Sequence, residues 1–138
     1  MSEEKQERKL EQSQNKNIKK KKNLNKIRAR RAGRTRAKIS GTAEKPRLSV
    51  FRSNRYVYAQ LIDDSKGHTM AGISTFEIKK SAGKDSTKTI HAERIGEELA
   101  KKALAAGINQ AVFDRGSYKY HGRIKAVAEG AKKGGLKI

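Results

Sequence analysis

Apolar residues are thin and scattered up to Lys45, then dense and periodic after Pro46. Residues 1 to about 15 are rich in Glu, Gln, Lys and Asn, with little to bury, and are expected to form a disordered acidic and polar tail. Between residues 16 and 38 the residue types favour a helix, but like charges recur at spacings of three and four. Such a helix is marginal alone and becomes favourable when an anion cancels the repulsion. The stretch Ser40 to Pro46 gathers Ser, Gly, Thr and the chain's single proline, which predicts a break between a basic arm (16–46) and a folded body (47–138).

In the body the period shortens to two. Arg47–Arg52 and Arg55–Ile62 are β-branched and aromatic with Ser53-Asn54 between them, the pattern of a hairpin. In the second strand Val57, Ala59 and Leu61 share one face, and Tyr56, Tyr58 and Gln60 share the other. Asp63 to Gly67 reads as a turn, and His68 to Thr75 as a third strand at an edge. From about Thr87 to Ala106 the period is helical: Ser86 or Thr87 is placed to cap it, Ile95, Leu99 and Ala103 form a stripe, and Gly107 ends it. Gln110–Asp114 predicts a short buried strand. A last helix is expected from about Gly122 to Lys133, with Ile124, Val127, Ala128 and Ala131 on its packed face. This order of elements predicts one small α/β domain, a mixed sheet packed against two helices and preceded by the basic arm.

Charge sharpens the division. The 138 residues carry a formal net charge of +20. Residues 1–47 hold 17 basic and 5 acidic side chains, or +12; residues 48–138 hold 17 and 9, or +8. From Gln12 to Ala43 there is no acidic residue but there are twelve lysines and arginines. A solvated face normally interleaves both signs; a one-sign run needs a polyanion. An anionic membrane would require a clean apolar face, and Ile18, Leu24, Ile27 and Ile39 are too few to make one. The longest apolar run, Ala103–Ile108, is too short to span a bilayer. Neither a secretory signal nor an acid-poor presequence is expected from the start of the chain, and the absence of cysteine fits a reducing compartment. A cytoplasmic nucleic-acid binder is therefore expected, without a small-molecule substrate.

Three further groups of residues bear on the chemistry. Residues 113–123 set two tyrosines, a histidine, a lysine and two arginines between glycines, where a strand gives way to a helix. Tyrosine and guanidinium planes can stack on unpaired bases while neighbouring cations hold phosphates, which favours RNA over duplex DNA; one of the tyrosines could equally plug the core. Arg52, Arg55, Tyr56 and Tyr58 of the hairpin suit an RNA platform, and strand propensity accounts for those tyrosines equally well. Asp63, Asp64, Asp85 and Asp114 lie where a two-metal nuclease would place carboxylates, but no second carboxylate is fixed by spacing to any of them. Turn chemistry at Asp63-Asp64 and a brace from Asp114 to Arg115 or Arg123 are the simpler reading. His68, His91 and His121 show no metal-ligand spacing, and no phosphate- or dinucleotide-binding glycine motif occurs. A general nucleic-acid compaction protein remains an alternative, since the arm alone would suffice for it.

Two blocks go further. Arg30-Arg31 through Asn54, with Lys38-Ile39-Ser40-Gly41-Thr42-Ala43-Glu44-Lys45-Pro46-Arg47-Leu48-Ser49-Val50-Phe51-Arg52-Ser53-Asn54 at its heart, and Phe113-Asp114-Arg115-Gly116 with Tyr118-Lys119-Tyr120-His121-Gly122-Arg123, resemble a bacterial ribosomal family. Tyr56–Asp63 and Ala71–Thr75 do so as well. The family is the large-subunit ribosomal protein numbered eighteen, which binds 5S ribosomal RNA, and the likeness runs from about Asn15 to Ile138. The resemblance implies an arm that becomes helical on 5S rRNA, a place in the central protuberance between 5S and large-subunit rRNA, neighbouring ribosomal proteins, no cofactor and no catalysis. By position it implies RNA contacts from Lys19, Lys20, Lys21, Lys22, Arg28, Arg30, Arg31, Arg34, Arg36 and Lys38 of the arm. It implies the same for Arg52 and Arg55 of the hairpin and for Arg115, Tyr118, Lys119, Tyr120, His121 and Arg123 of the loop. The acidic tail exceeds the usual family start, and Ser117 stands where glycine or proline is common.

Overall fold

The computed structural model describes residues 2–79 and 87–138. The chain runs α1 (Glu3–Arg36), β1 (Arg47–Arg52), β2 (Val57–Asp63), β3 (His68–Ser74), α2 (Thr75–Lys79), α3 (Lys88–Ala105), β4 (Val112–Asp114) and α4 (Arg123–Lys133). The four strands form one sheet in the order β3-β2-β1-β4, antiparallel except for the parallel β1–β4 pair. The predicted mixed α/β architecture is the observed one.

Alternation along β2 decides which face is buried. Val57, Ala59 and Leu61 join Leu48 and Val50 of β1 under α3 and α4, where Ala92, Ile95, Leu99, Ala103, Ile124, Val127 and Ala131 complete the core. The two helices approach to backbone contact: a Cβ on Gly96 would strike the Val127 carbonyl, and one on Gly130 the Glu93 carbonyl. Thr87 caps α3, its Oγ1 accepting from the Ile90 N–H; the alternative cap Ser86 and the carboxylate Asp85 lie outside the described residues.

Several boundaries move, each for a local reason. The hairpin turn is wider than Ser53-Asn54. Ser53 N–H and Oγ both donate to the Tyr56 carbonyl, so β2 begins at Val57. The third strand stops at Ser74 because Thr75 opens α2, a short helix the periodicity did not predict, with Thr75 Oγ1 accepting from Val57 N–H. The strand expected at Gln110–Asp114 is shorter; Gln110 instead forms a lone parallel bridge with Lys137.

The largest difference lies at the N-terminus, where the tail expected to be disordered belongs to α1 from Glu3 onward. Glu3 and Glu4 sit in the first turn and Arg34 and Arg36 in the last, signs that complement the helix dipole, and Glu4 precedes Arg8 by four residues. None of the 34 residues of α1 is buried, so apolar burial contributes little to this helix over its length of about 50 Å.

Candidate nucleic-acid interface

Two carboxylates fix the root of the arm. Asp64 accepts from Arg47 Nε at 3.0 Å, Arg36 Nη1 at 3.1 Å and Gly41 N–H at 2.7 Å, and its own N–H returns to the Gly41 carbonyl at 3.0 Å. Arg47 continues the network, donating through Nη1 to Asp114 at 2.8 Å. The Arg47 hydrogen bond, with that from Gly41, holds the Asp64 carboxyl well below the usual carboxylate range. Burial alone would weaken the Arg47 charge, but the two carboxylates more than offset it and its pKa lies above the ordinary value. Asp114 therefore braces against Arg47, and not against Arg115 or Arg123 as the sequence suggested. Parallel pairing of β1 with β4 sets Asp114 opposite Ser49, two residues along β1 from Arg47. Asp63 makes the expected turn, its Oδ1 accepting from Ser65 N–H and Oγ.

A second fastening lies at the neighbouring residue of α1, where Thr35 Oγ1 donates to the Gly116 carbonyl at 3.0 Å. Arg28, Arg31 and Thr35 recur at helical spacing, so the face of α1 that carries them turns toward the body. Small residues between them, Ala29 and Ala32, leave room. The result is a cleft of about 1100 Å³ between α1, the β1–β2 turn and the loop after β4. It is lined by Arg28, Arg31, Arg52, Lys119, His121 and Arg123, with Phe51, Tyr118, Ser53 and Asn54. Among the described residues no carboxylate lines it.

The loop walls are preset. Asp114 Oδ1 accepts from Gly116 N–H, and Gly116 and Gly122 take φ of +61° and +59°, which the chain can adopt there because both lack a side chain. Tyr118 packs partly against the core, and its hydroxyl both accepts from Arg52 N–H (3.1 Å) and donates to the Arg52 carbonyl (3.2 Å). The Arg52 guanidinium stacks over the same ring, 5.3 Å from its centroid. Arg123 donates to the Ser53 carbonyl at 3.2 Å; burial, with the nearby charge of Arg52, lowers its pKa from the ordinary value. Two guanidinium groups that repel one another at a site without acids favour an anion between them.

The predicted contact residues separate into groups. Arg28, Arg31, Arg52, Tyr118, Lys119, His121 and Arg123 come together in the cleft. Lys19, Lys20, Lys21 and Lys22 lie along the exposed helix, about 9–14 Å of helix rise beyond Arg28. Arg30 and Arg34 are exposed on other faces of α1, and Lys38 lies in the linker. Arg36 is engaged with Asp64. Arg55 lies within the hairpin turn, on a side shared with Lys88 and His91. Arg115 braces its own loop by donating to the Tyr118 carbonyl, and Tyr120 packs edge-on against Phe113 with its outer surface exposed. Sequence reasoning missed Lys88, whose ammonium donates to the Asn54 carbonyl at 2.7 Å, and Phe51, whose place on the open face of the sheet the strand alternation already implied. Asp63, Asp64 and Asp114 are held by turn and arginine partners, and among the described residues no three His, Cys, Asp or Glu side chains gather into a metal site.

Residues 17–138 match the family model described as ribosomal L18 of archaea, bacteria, mitochondria and chloroplasts. The chain belongs to the ribosomal L18 family. Relatives bearing the name "Large ribosomal subunit protein uL18" are similar over most of their length. That of Desulfotalea psychrophila is 51% identical over 106 residues, covering 77% of this chain and 88% of the relative. That of Lactobacillus delbrueckii subsp. bulgaricus is 55% identical over 105 residues, covering 76% and 87%. That of Herpetosiphon aurantiacus is 54% identical over 107 residues, covering 76% and 88%. A member of the L18 family is a structural constituent of the ribosome and not an enzyme. No described helix is long and apolar enough to cross a membrane.

Proposed function

We propose that this chain takes its place in the large ribosomal subunit by binding 5S rRNA and helps attach it to the large-subunit rRNA in the central protuberance. The observation that carries this reading is the acid-free cleft in which cations from the arm, the hairpin turn and the Gly116–Arg123 loop converge. In the same reading residues 16–46 are the RNA-binding arm, residues 47–138 the body that positions it, and neighbouring ribosomal proteins meet the remaining surface. Arg28, Arg31, Arg52, Lys119 and Arg123 neutralise phosphates, Tyr118 and His121 offer ring faces and hydrogen bonds, and Lys19 to Lys22 extend the charged track along α1.

Neutralising six to ten phosphates would cost about three to five decades of affinity between low and moderate salt, by the rule for duplex DNA. Filter binding of purified 5S rRNA, with tRNA as competitor at the same salt, tests the proposal. Preference for 5S rRNA supports it. Binding indistinguishable from tRNA removes it and leaves general nucleic-acid compaction.

A further inference from the structure

The sheet has helices over one face, while around the hairpin the other face is open. There Phe51 of β1 and Tyr58 of β2, directly opposite in register, are 58% and 37% exposed, with ring centroids 6.0 Å apart and planes tilted by 41°. Ser49 and Gln60 form the next cross-strand pair, and the four side chains line a shallow groove of about 370 Å³. The groove has no charged lining in a chain of net charge +20. Two aromatic rings side by side on solvent are an unusual use of strand positions whose neighbours are polar.

Phe51 also lines the basic cleft, so the neutral groove and the cationic one meet at this side chain. Phosphates held at Arg28, Arg31 and Arg52 would leave the attached bases to fall on an adjoining surface. An uncharged aromatic surface favours a base face over a phosphate. Insertion between the rings would require about 7 Å, twice the ordinary carbon contact distance, so a base must lie across their outer faces.

We propose that Phe51 and Tyr58 form a stacking platform for an unpaired base of the RNA strand whose phosphates occupy the cleft. The assignment rests on the RNA-binding reading above and adds to it a contact made by ring faces and not by charge. Stacking of this kind tolerates any base, and because it neutralises no phosphate it adds nothing to the salt slope. It therefore separates in measurement from the arm, whose contribution is steeply salt-dependent.

The test uses the full chain and 5S rRNA in a salt series. Phe51→Ala and Tyr58→Ala should each weaken binding about tenfold with the slope of log affinity against log salt unchanged. Phe51→Tyr, which keeps a ring, should restore it, whereas Phe51→Leu should not. Both side chains are solvent-exposed, and an unaltered melting temperature for each variant shows that the fold is intact. If Phe51→Ala and Tyr58→Ala bind within twofold of the parent while Arg28→Glu/Arg31→Glu binds poorly, the platform is overturned and the RNA-binding reading stands; the open face then serves another partner, such as a neighbouring protein. If the parent chain shows no preference for 5S rRNA over tRNA, the broader reading has failed instead.

Discussion

α1 and α4 are both helices rich in basic residues, yet they exist for opposite physical reasons. α4 buries Ile124, Val127 and Ala131 against α3 and the sheet, and Lys133 in its last turn pairs with Glu93 of α3. α1 buries nothing over 34 residues and touches the body through its final turns, at Thr35 and Arg36. One is held by apolar area removed from water, the other by backbone propensity and by two polar fastenings at its base. Stability thus comes from the body, whereas charge is shared by both parts and is densest along α1. A change in either part should register in a different measurement.

The largest expected effect tests that separation directly. Removing residues 1–34, which leaves Thr35 and Arg36 in place, should lower affinity for 5S rRNA roughly a thousandfold at moderate salt and flatten its salt dependence. The melting temperature of the body should hardly move. Affinity surviving the deletion would mean the body, and not the arm, supplies the charge that matters. Next in size, Leu99→Ala in the fully buried centre of α3 should cost about 3 kcal/mol in urea unfolding. Leu24→Ala on exposed α1 should stay within about 0.5 kcal/mol. Comparable costs at the two positions would erase the contrast.

The joint between the two regions comes third. Asp64→Asn removes the charge that gathers Arg36, Arg47 and Gly41 and should cost about 2 kcal/mol, read by chemical denaturation. The Asp64 carboxyl titrates below its ordinary value of 3.8 in the folded state, so its contribution is complete above about pH 4 and fades as pH falls further. The parent should lose more stability on that acid limb than Asp64→Asn, which keeps only the shallower limb from carboxylates such as Asp63; parallel acid limbs would break the assignment. A smaller effect than that at Asp64 belongs to the loop: Tyr118→Phe deletes both hydrogen bonds to the Arg52 backbone, for about 1 kcal/mol of stability. The ring and the guanidinium stacked on it remain, so RNA affinity should change less than in Tyr118→Ala.

Legibility in the sequence followed the range of the interaction concerned. Alternation at Val57, Ala59 and Leu61, the Thr87 cap and the stripe Ile95-Leu99-Ala103 are local patterns, and all three appear in the fold. The extension of α1 through the tail was missed because low hydrophobicity was read as disorder, although Glu3 and Glu4 at one end and Arg34 and Arg36 at the other complement a helix dipole. The turn at Thr75 into α2 was missed because a single threonine, accepting from a strand 18 residues away, anchors it. Within the candidate interface, residue types pointed to the arm and the loop. They could not distinguish Arg28, which faces the cleft, from Arg36, which is tied to Asp64, because both are arginines in one unbroken basic run.

By itself the sequence determined a basic arm ahead of an α/β body, and a polyanion as the partner. Those properties follow from summed charge and short-range periodicity, which need no knowledge of where distant residues meet. The tertiary structure decided the rest. Parallel pairing of β1 with β4 brought Asp114 to Arg47, the Gly41–Asp64 contact fixed the root of the arm, and Thr35 on Gly116 turned Arg28 and Arg31 toward the loop. Each contact joins residues 23 to 81 positions apart, and chain connectivity alone does not favour any of them over its competitors.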